Sequence, residues 1–221
     1  MTITVVTAGD SKYRDIIQAS QERTLRFGYE IIVYDLGGVG FGREYEVGRE
    51  AFAGKPIAGC FHKPKVIKDC LHGLGKGGRL VYLDADAVLN APINDVFGGF
   101  DVAVTLRRRA WVGGGPCPRF TGYVQAGVLF FVNSQRTRDF VDEWDEATVR
   151  YGSDQRALNE MIDPYTDWQN YNVTINVGGV RVRILHVDSY NFYHFEEGYS
   201  DKNKVLHFKA ENRKYFQELS S

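Results

Sequence analysis

The chain has 221 residues, with 27 Lys and Arg against 28 Asp and Glu, which gives a formal net charge of -1. A composition that is 43% hydrophobic and 25% charged is ordinary for a globular protein and excludes intrinsic disorder. The balanced charge argues against a nucleic-acid-binding protein, which needs a basic face to neutralise phosphates. Every apolar run is far shorter than the roughly 20 residues that span a bilayer, so we expect no transmembrane segment.

The cysteines indicate the compartment. Cys60, Cys70 and Cys117 form an odd set without metal-type spacing, which is typical of a reducing environment and not of a disulfide framework. No basic segment precedes the first apolar strand and no cleavage site follows it, so we expect no secretory signal. The sequence therefore predicts a cytoplasmic protein.

The first half of the chain alternates strand and helix patterns. β-branched runs and amphipathic stretches predict, in order, strand, helix, strand, helix and strand over residues 3–7, 12–27, 30–34, 63–74 and 79–83. This alternation is typical of a parallel sheet that helices cover on both faces.

The second half has a different pattern. Strands are predicted over residues 100–106 and 125–133, with a glycine-rich stretch at 111–122 between them. Helices follow at 134–151 and from about 153, then a hairpin that turns at Gly178 and Gly179, and last a short strand over 205–208. The chain shows neither repeat nor linker, so we expect a single α/β domain over residues 1–221 whose later half adds mixed strands.

Two carboxylates close the strand at 79–83. Asp84 and Asp86 lie two residues apart, so their side chains can project to the same side, at the sheet edge where open α/β proteins bind ligands. Two such anions about 4 Å apart repel by about 4 kcal/mol at an effective dielectric near 20. They therefore hold a cation, share a proton or splay apart, and oxygen ligands favour Mg²⁺, Mn²⁺ or Ca²⁺. An Asp that caps a turn beside a solvated Asp is the alternative.

Phosphatases of the haloacid dehalogenase type also place an apolar strand before such a pair, with one Asp as nucleophile and the other as acid or base. They usually carry the motif on the first strand and need a later Lys and a late acidic pair. Here two strand–helix units come first and the late pair is absent, so this reading remains an alternative.

Three later segments carry candidate site residues. Gln125 precedes the small residues Ala126 and Gly127, which let a ligand approach the backbone closely, although a buried strand with a bulge has the same pattern. Near residue 153, helix capping accounts for Ser153 and partly for Asp154, but it does not require Gln155. His207 ends an apolar strand, as a core histidine or a metal ligand would, and is followed by the basic residues Lys209, Arg213 and Lys214.

Taken in order, these segments resemble the glycosyltransferases of the GT-A fold, and most closely family 8, the group of glycogenin and the bacterial lipopolysaccharide galactosyltransferases. The family motifs read roughly YLDAD, N-[SA]-G-[VL], DQ-x-x-LN and HFxGxxKPW. This chain has YLDAD at 82–86, QAGV at 125–128, DQRALN at 154–159 and HFKAENRK at 207–214. It departs from the family at Gln125, where Asn is usual, and in the missing Gly and Pro-Trp after His207.

The resemblance implies a GT-A fold, with a mostly parallel central sheet flanked by helices and a small mixed sheet. It implies a nucleotide-binding half over about residues 1–100 and a donor-sugar and acceptor half over about 101–221. It also implies a metal site for Mn²⁺ or Mg²⁺ at Asp84, Asp86 and His207, and a reacting centre that Asp154 and Gln155 face. The residues implied to bind the nucleotide are Thr7, Ala8, Asp35, Lys63, Lys65, Asp84, Ala85, Lys209 and Lys214. Those expected to contact the donor sugar or acceptor are Gln125, Ala126, Gly127, Trp111 and Tyr193.

The function that the resemblance implies is metal-dependent transfer of a hexose from a nucleotide sugar, UDP-glucose or UDP-galactose, to a glycan or protein hydroxyl, with retention of configuration. A non-catalytic nucleotide-sugar-binding protein is an alternative. A sugar-1-phosphate nucleotidyltransferase is a further one, but it needs a G-x-G-x-R loop after the first strand, and residues 8–14 match that loop poorly.

Overall fold

The computed structural model describes residues 2–44, 51–52, 55–56, 62–112, 121–166 and 170–216, with the backbone alone at 51–52, 55–56, 109–112 and 121. Cys60, Cys117 and the glycine-rich stretch at 113–120 lie outside the described residues, as does the side chain of Trp111.

The described residues form strands and helices in an α/β order. The strands are β1 (Ile3–Asp10), β2 (Glu30–Gly37), β3 (Arg43–Glu44), β4 (Ala51–Phe52), β5 (Lys55–Pro56), β6 (Arg79–Asp84), β7 (Ala87–Leu89), β8 (Val102–Val112), β9 (Thr121–Val132), β10 (Thr174–Val177), β11 (Val180–His186) and β12 (Val205–His207). The α-helices are α1 (Arg14–Arg26), α2 (His62–Gly73), α3 (Gln135–Tyr151), α4 (Asp154–Ile162) and α5 (Val187–Tyr190). Short 3-10 turns lie at Ser11–Tyr13, Asn94–Val96, Asp163–Tyr165, Phe195–Glu197 and Ala210–Tyr215.

The central sheet has eight strands in the order β10-β11-β8-β9-β6-β1-β2-β3. Strand β1 is parallel to both β2 and β6, and β2 is parallel to β3, as the strand–helix alternation predicts. Strand β9 is antiparallel to both β6 and β8, while β11 is parallel to β8 and antiparallel to β10. The predicted α/β fold is confirmed, with a parallel half followed by a mixed half.

The small sheet differs in detail from the expectation. Strands β7 and β12 form an antiparallel pair, and β4 and β5 form another, so neither is mixed. The β7–β12 pair brings the end of the chain back to the segment that follows Asp84.

The predicted glycine-rich connection at 111–122 is also shorter than expected. Strand β8 continues to Val112 and β9 begins at Thr121, where the two strands pair as a ribbon beyond the rest of the sheet. The hairpin of β10 and β11 turns at Gly178 and Gly179 as predicted, with φ of 57° and 89°, a region that favours glycine.

The core lies on both faces of the central sheet. Along β6, Leu80 and Tyr82 belong to one apolar cluster and Val81 and Leu83 to the other, which is the alternation of a strand buried on two sides. Helices α2, α3 and α4 supply much of the first cluster. Among the described helices none is long and apolar enough to cross a bilayer.

Candidate functional site

A cleft of about 340 Å³ opens at the carboxyl ends of β1 and β6. Ligands of open α/β sheets bind at this edge because the parallel strands end there and the helices and loops that follow them converge. The cleft is lined by Ala8, Gly9, Asp10, Lys12, Tyr13, Leu36, His62, Lys63, Tyr82, Asp84, Ala85, Asp86, Arg107, Gly127, Gln155, His207 and Lys209.

Two carboxylates and one imidazole meet at the centre of this cleft. Strand β6 ends at Asp84, and β12 pairs with β7 so that His207 lies opposite Ala87, next to Asp86. The Nε2 atom of His207 is 2.9 Å from Oδ1 of Asp86 and 3.7 Å from Oδ2 of Asp84. Asp86 and His207 are 121 positions apart in the chain, and the pairing of β12 with β7 brings them together, which a single sequence motif cannot reveal.

This donor set fits a divalent cation. The ligand atoms of Asp84, Asp86 and His207 lie within 4.8 Å of one another, and two ligands at about 2.1 Å from one ion are about 3 Å apart in octahedral geometry. Burial lowers the pKa of His207, with nearby Lys209 adding to the effect, which favours the neutral imidazole that binds metals. Carboxylate oxygens and imidazole nitrogens are both common ligands of divalent metal ions in proteins.

Lys63 connects the carboxylate pair to helix α4. Its Nζ atom, in the first turn of α2, is 3.0 Å from Oδ1 of Asp84 and 3.0 Å from Oδ2 of Asp154. Burial opposes the charge of Lys63, but Asp154 and Asp84 outweigh burial and raise its pKa. Asp154 is itself buried, and its Oδ1 accepts from the backbone N–H of Gln155.

Gln155 lines the cleft, but its amide is bonded to the sheet. Its Oε1 accepts from the backbone N–H of Ala126 at 3.0 Å, and its Nε2 donates to the carbonyl of Val124. Asn159, one turn later, accepts from the N–H of Val124 and donates to the same carbonyl, each at 2.9 Å. Strand β6 pairs with β9 only from Val128 onward, so these two amides cover the free edge of β9.

A second group of polar side chains lies on the other side of His207. Lys209 donates from Nζ to Oε1 of Gln125 and lies 4.9 Å from the ring centre of Tyr193. Burial and then Arg107 lower the pKa of Lys209 well below its ordinary value. Gln125 and Ala126 are fully buried and do not line the cleft, whereas Gly127 does.

Other residues singled out by the sequence lie outside the lining of the cleft. Thr7 is buried within β1. Asp35 instead accepts from the N–H groups of the loop after β2, at Gly37, Val39 and Gly40, and these bonds lower its pKa.

Two of the predicted lysines also miss the cleft. Lys65 lies one position beyond Pro64 on α2 but is not among the lining residues, in contrast to Lys63. Lys214 is exposed, with its Nζ 4.9 Å from the ring centre of Tyr215. Tyr193 contacts Lys209, which lines the cleft, but Tyr193 is not itself part of the lining.

Arg213 is the basic residue of the tail that lies nearest the carboxylates, whereas the predicted nucleotide-binding residues of this segment were Lys209 and Lys214. Its Nη2 donates to Oη of Tyr13 at 2.7 Å and is 3.7 Å from Oδ2 of Asp86. Arg213 is the sixth residue after His207, as the Lys is in HFxGxxKPW, and Ala210 has φ of 48° at the position of that motif's Gly. Counting from His207 was the available signal. His62, Lys12 and Tyr13, which also line the cleft, carry no comparable motif.

Comparison with solved structures relates this fold to known proteins. A glycosyltransferase involved in glycosylation of the major capsid of PBCV-1 matches with a TM-score of 0.65 at 12% identity over 100% of both chains. GlyE of Streptococcus pneumoniae TIGR4, a glycosyltransferase, matches with a TM-score of 0.54 at 18% identity over 95% of this chain and 55% of its own. An active-site mutant of LgtC matches with a TM-score of 0.53 at 16% identity over 98% and 95% of the two chains.

These likenesses show the fold. The chain has the GT-A fold, in agreement with the sequence prediction. Membership of family 8 is not established, since no family model matches the sequence and no curated protein matches it significantly.

Proposed function

We propose that this protein is a metal-dependent glycosyltransferase that moves a hexose from a UDP-sugar to a glycan or protein hydroxyl. The observation that carries the proposal is the meeting of Asp84, Asp86 and His207 in the cleft of a GT-A fold. A divalent cation held there supplies Lewis-acid stabilisation of the diphosphate as it leaves.

The cleft also offers basic groups for the diphosphate. Lys12 and Arg107 line it, and Arg213 lies beside Asp86. Lys209 also lines it, and a phosphate bound beside Lys209 would raise its lowered pKa and favour its charged form. Negative charge develops on the leaving phosphate, and fixed cations stabilise that charge most where water is excluded. Lys63 is engaged by Asp84 and Asp154, so we assign it to holding these carboxylates in place.

Gly127 and Asp154 mark the expected position of the donor sugar. Gly127 approaches His207 and Asp84 so closely that a Cβ atom there would meet them at 2.3 and 2.9 Å, and Lys63 contacts both Asp84 and Asp154. We propose retention of configuration on the resemblance of Asp154 and Gln155 to the family 8 motif. Proton NMR of the first product tests this, because an inverted anomeric centre would contradict it.

The haloacid dehalogenase alternative is not supported. Its motif usually lies on the first strand, whereas Asp84 ends β6, and the lysine that contacts Asp84 is Lys63, which comes before the pair where that chemistry needs a later Lys. The GT-A fold, by contrast, is the fold that the proposed glycosyltransferase function needs.

Release of UDP tests the function. The purified protein is incubated with UDP-glucose or UDP-galactose, Mn²⁺ and a panel of glycan and peptide acceptors, and UDP and inorganic phosphate are measured. We expect Mn²⁺-dependent UDP release without phosphate release, abolished by Asp86→Ala and by chelation with EDTA. Asp201→Ala, at an exposed turn, is the matched control and should keep full activity.

Two outcomes would redirect the proposal. Binding of the UDP-sugar without any turnover over hours favours the non-catalytic nucleotide-sugar-binding protein. Unchanged UDP release by Asp86→Ala contradicts the metal site itself.

A further inference from the structure

A buried asparagine contacts the imidazole from behind the candidate metal site. Asn191 is fully buried, and its Oδ1 is 2.8 Å from Nδ1 of His207. Its Nδ2 is 2.8 Å from Oγ1 of Thr105 and 3.3 Å from Oε1 of Gln125. Oε1 of Gln125 also accepts from Nζ of Lys209. The contacts therefore run from Lys209 through Gln125 and Asn191 to His207, with Thr105 as a further partner of Asn191.

The backbone holds Asn191 and His207 in register. Asn191 caps the C-terminal end of α5, and its N–H donates to the carbonyl of Val187, the first residue of that helix, at 2.8 Å. The next residue, Phe192, accepts from the N–H of His207 at 2.8 Å and bridges to Leu206 of β12. Main-chain hydrogen bonds thus hold the backbone of both Asn191 and His207 in place beside their side-chain contact.

Hydrogen-bond chemistry determines the direction of each bond in this chain. Nζ of Lys209 donates to Oε1 of Gln125, so the oxygen of this amide faces the lysine. That oxygen can only accept, so the atom of Asn191 that faces it is the amide nitrogen. The remaining Asn191 atom is then the oxygen, which accepts a proton from Nδ1 of His207. With Nδ1 protonated, the lone pair of a neutral imidazole lies on Nε2, where a cation shared with Asp84 and Asp86 would take the place of the proton in the 2.9 Å contact with Asp86.

We propose that Asn191 is a positioning residue that keeps the proton of His207 on Nδ1 and thereby directs the Nε2 lone pair into the metal site. The inference rests on the proposed function, since it assigns to His207 the role of a metal ligand. A ligand imidazole whose other nitrogen donates to a protein oxygen has a fixed tautomer and a fixed ring plane.

Mn²⁺ affinity tests the proposal in the absence of any substrate. Electron paramagnetic resonance of free Mn²⁺ gives the dissociation constant of the full chain and its variants. Asn191→Leu removes the acceptor at nearly constant volume and should weaken Mn²⁺ binding by about 10- to 100-fold. Asn191→Asp keeps an oxygen against Nδ1 and should remain within about threefold of the wild type.

Thr105→Val is the matched control. It removes the other strong partner of the Asn191 amide from the same buried cluster but leaves the bond to His207. We expect a lower melting temperature and nearly unchanged Mn²⁺ affinity. This result would show that the weaker Mn²⁺ binding of Asn191→Leu comes from the loss of Oδ1 as an acceptor for His207, and not from general destabilisation of the buried side chains. Equal Mn²⁺ affinities in Asn191→Leu and the wild type, or equal losses in all three variants, would overturn the proposal.

Nitrogen-15 NMR of the imidazole rings of the wild type gives a second test that does not depend on the folding of the Asn191 variants. The chain has five histidines, so the ring of His207 can be assigned by its loss in one further variant. We expect a proton on Nδ1, and its absence there would refute the inference. If the wild type binds no Mn²⁺, both the metal site and this inference fail. If Mn²⁺ binding follows the expected pattern but no UDP-sugar is turned over, the transfer function fails and the role of Asn191 stands.

Discussion

Gly127 and His207 approach so closely that no side chain fits between them. A Cβ atom built on Gly127 would lie 2.3 Å from Cε1 of His207 and 2.9 Å from Oδ2 of Asp84. The imidazole cannot retreat, because it is 1% exposed and is held by Asn191 on its other side. Glycine at position 127 of β9 therefore allows His207 and Asp84 to lie where the candidate metal site needs them.

Gly127→Ala should consequently damage the site more than the fold. We expect Mn²⁺ binding to weaken at least tenfold, with a loss of about 1–3 kcal/mol in the free energy of unfolding from overpacking. Isothermal titration with Mn²⁺ and urea denaturation measure the two effects. Gly98→Ala is the control, since a Cβ there meets nothing within 4 Å. Unaltered Mn²⁺ affinity in Gly127→Ala would show that the backbone adjusts and that glycine is not required.

The sequence predicted the parts of the site that follow from strand periodicity and motif order. Asp84 and Asp86 follow a continuous apolar run that is plain in the sequence, and Gly127 belongs to a run of small residues in another predicted strand. Side-chain contacts between segments that are distant in the chain could not be predicted from periodicity or motif order. The amide of Gln155 covers the backbone of β9 because β6 ends before that segment, and only the paired strands reveal this free edge.

Lys63 is expected to stabilise the fold through its two buried carboxylate partners. Its side chain is 12% exposed and that of Asp154 is 8% exposed, and breaking a buried ion pair on one side costs about 3–5 kcal/mol. The raised pKa of Lys63 means that this contribution is complete at pH below its ordinary value of 10.5 and declines only in more alkaline solution. Urea denaturation of Lys63→Met at pH 7 measures the loss.

Lys68→Met provides the comparison on the same helix. Lys68 pairs with Asp142 where both side chains are more than 40% exposed, and such surface pairs contribute about 0–1 kcal/mol. Equal losses in the Lys63 and Lys68 variants would contradict the proposed role of the buried cluster.

Asn159 is expected to hold the free edge of β9. Asn159→Leu leaves the N–H of Val124 without its acceptor, and a buried unsatisfied group costs about 1–3 kcal/mol. Hydrogen exchange at the Val124 amide should accelerate along with the loss in unfolding free energy. Gln18→Leu replaces an exposed amide on α1 and should change neither quantity; unaltered protection of Val124 in Asn159→Leu would refute the prediction.

Arg213 and Lys214 are adjacent but should differ in nucleotide binding. Arg213 lies beside Asp86 and Tyr13, whereas Lys214 is exposed. A hydrogen bond to a charged group contributes about 1.5–3 kcal/mol, so Arg213→Gln should weaken UDP binding in the presence of Mn²⁺ by about tenfold or more. Lys214→Gln, which removes the same charge, should weaken it less than twofold. Titration calorimetry measures both, and the reverse order would assign the phosphate contact to Lys214.

Asp163 should make the stability of the protein fall as the pH rises. Burial, with a contribution from Glu160, raises its pKa to about 7 from an ordinary 3.8. Between these values the folded state retains a proton that the unfolded chain releases, so the stabilising effect of protonation is lost as the pH increases and is gone above about 7. Asp163→Asn removes this titration and should raise the unfolding free energy at pH 8 by about 1–2 kcal/mol, once the exposure of the carboxyl is allowed for, with little change at pH 4. Urea denaturation at both pH values, with the exposed Asp201→Asn as control, measures the difference; the same pH dependence in both variants would mean that Asp163 ionises alike in the folded and unfolded chain.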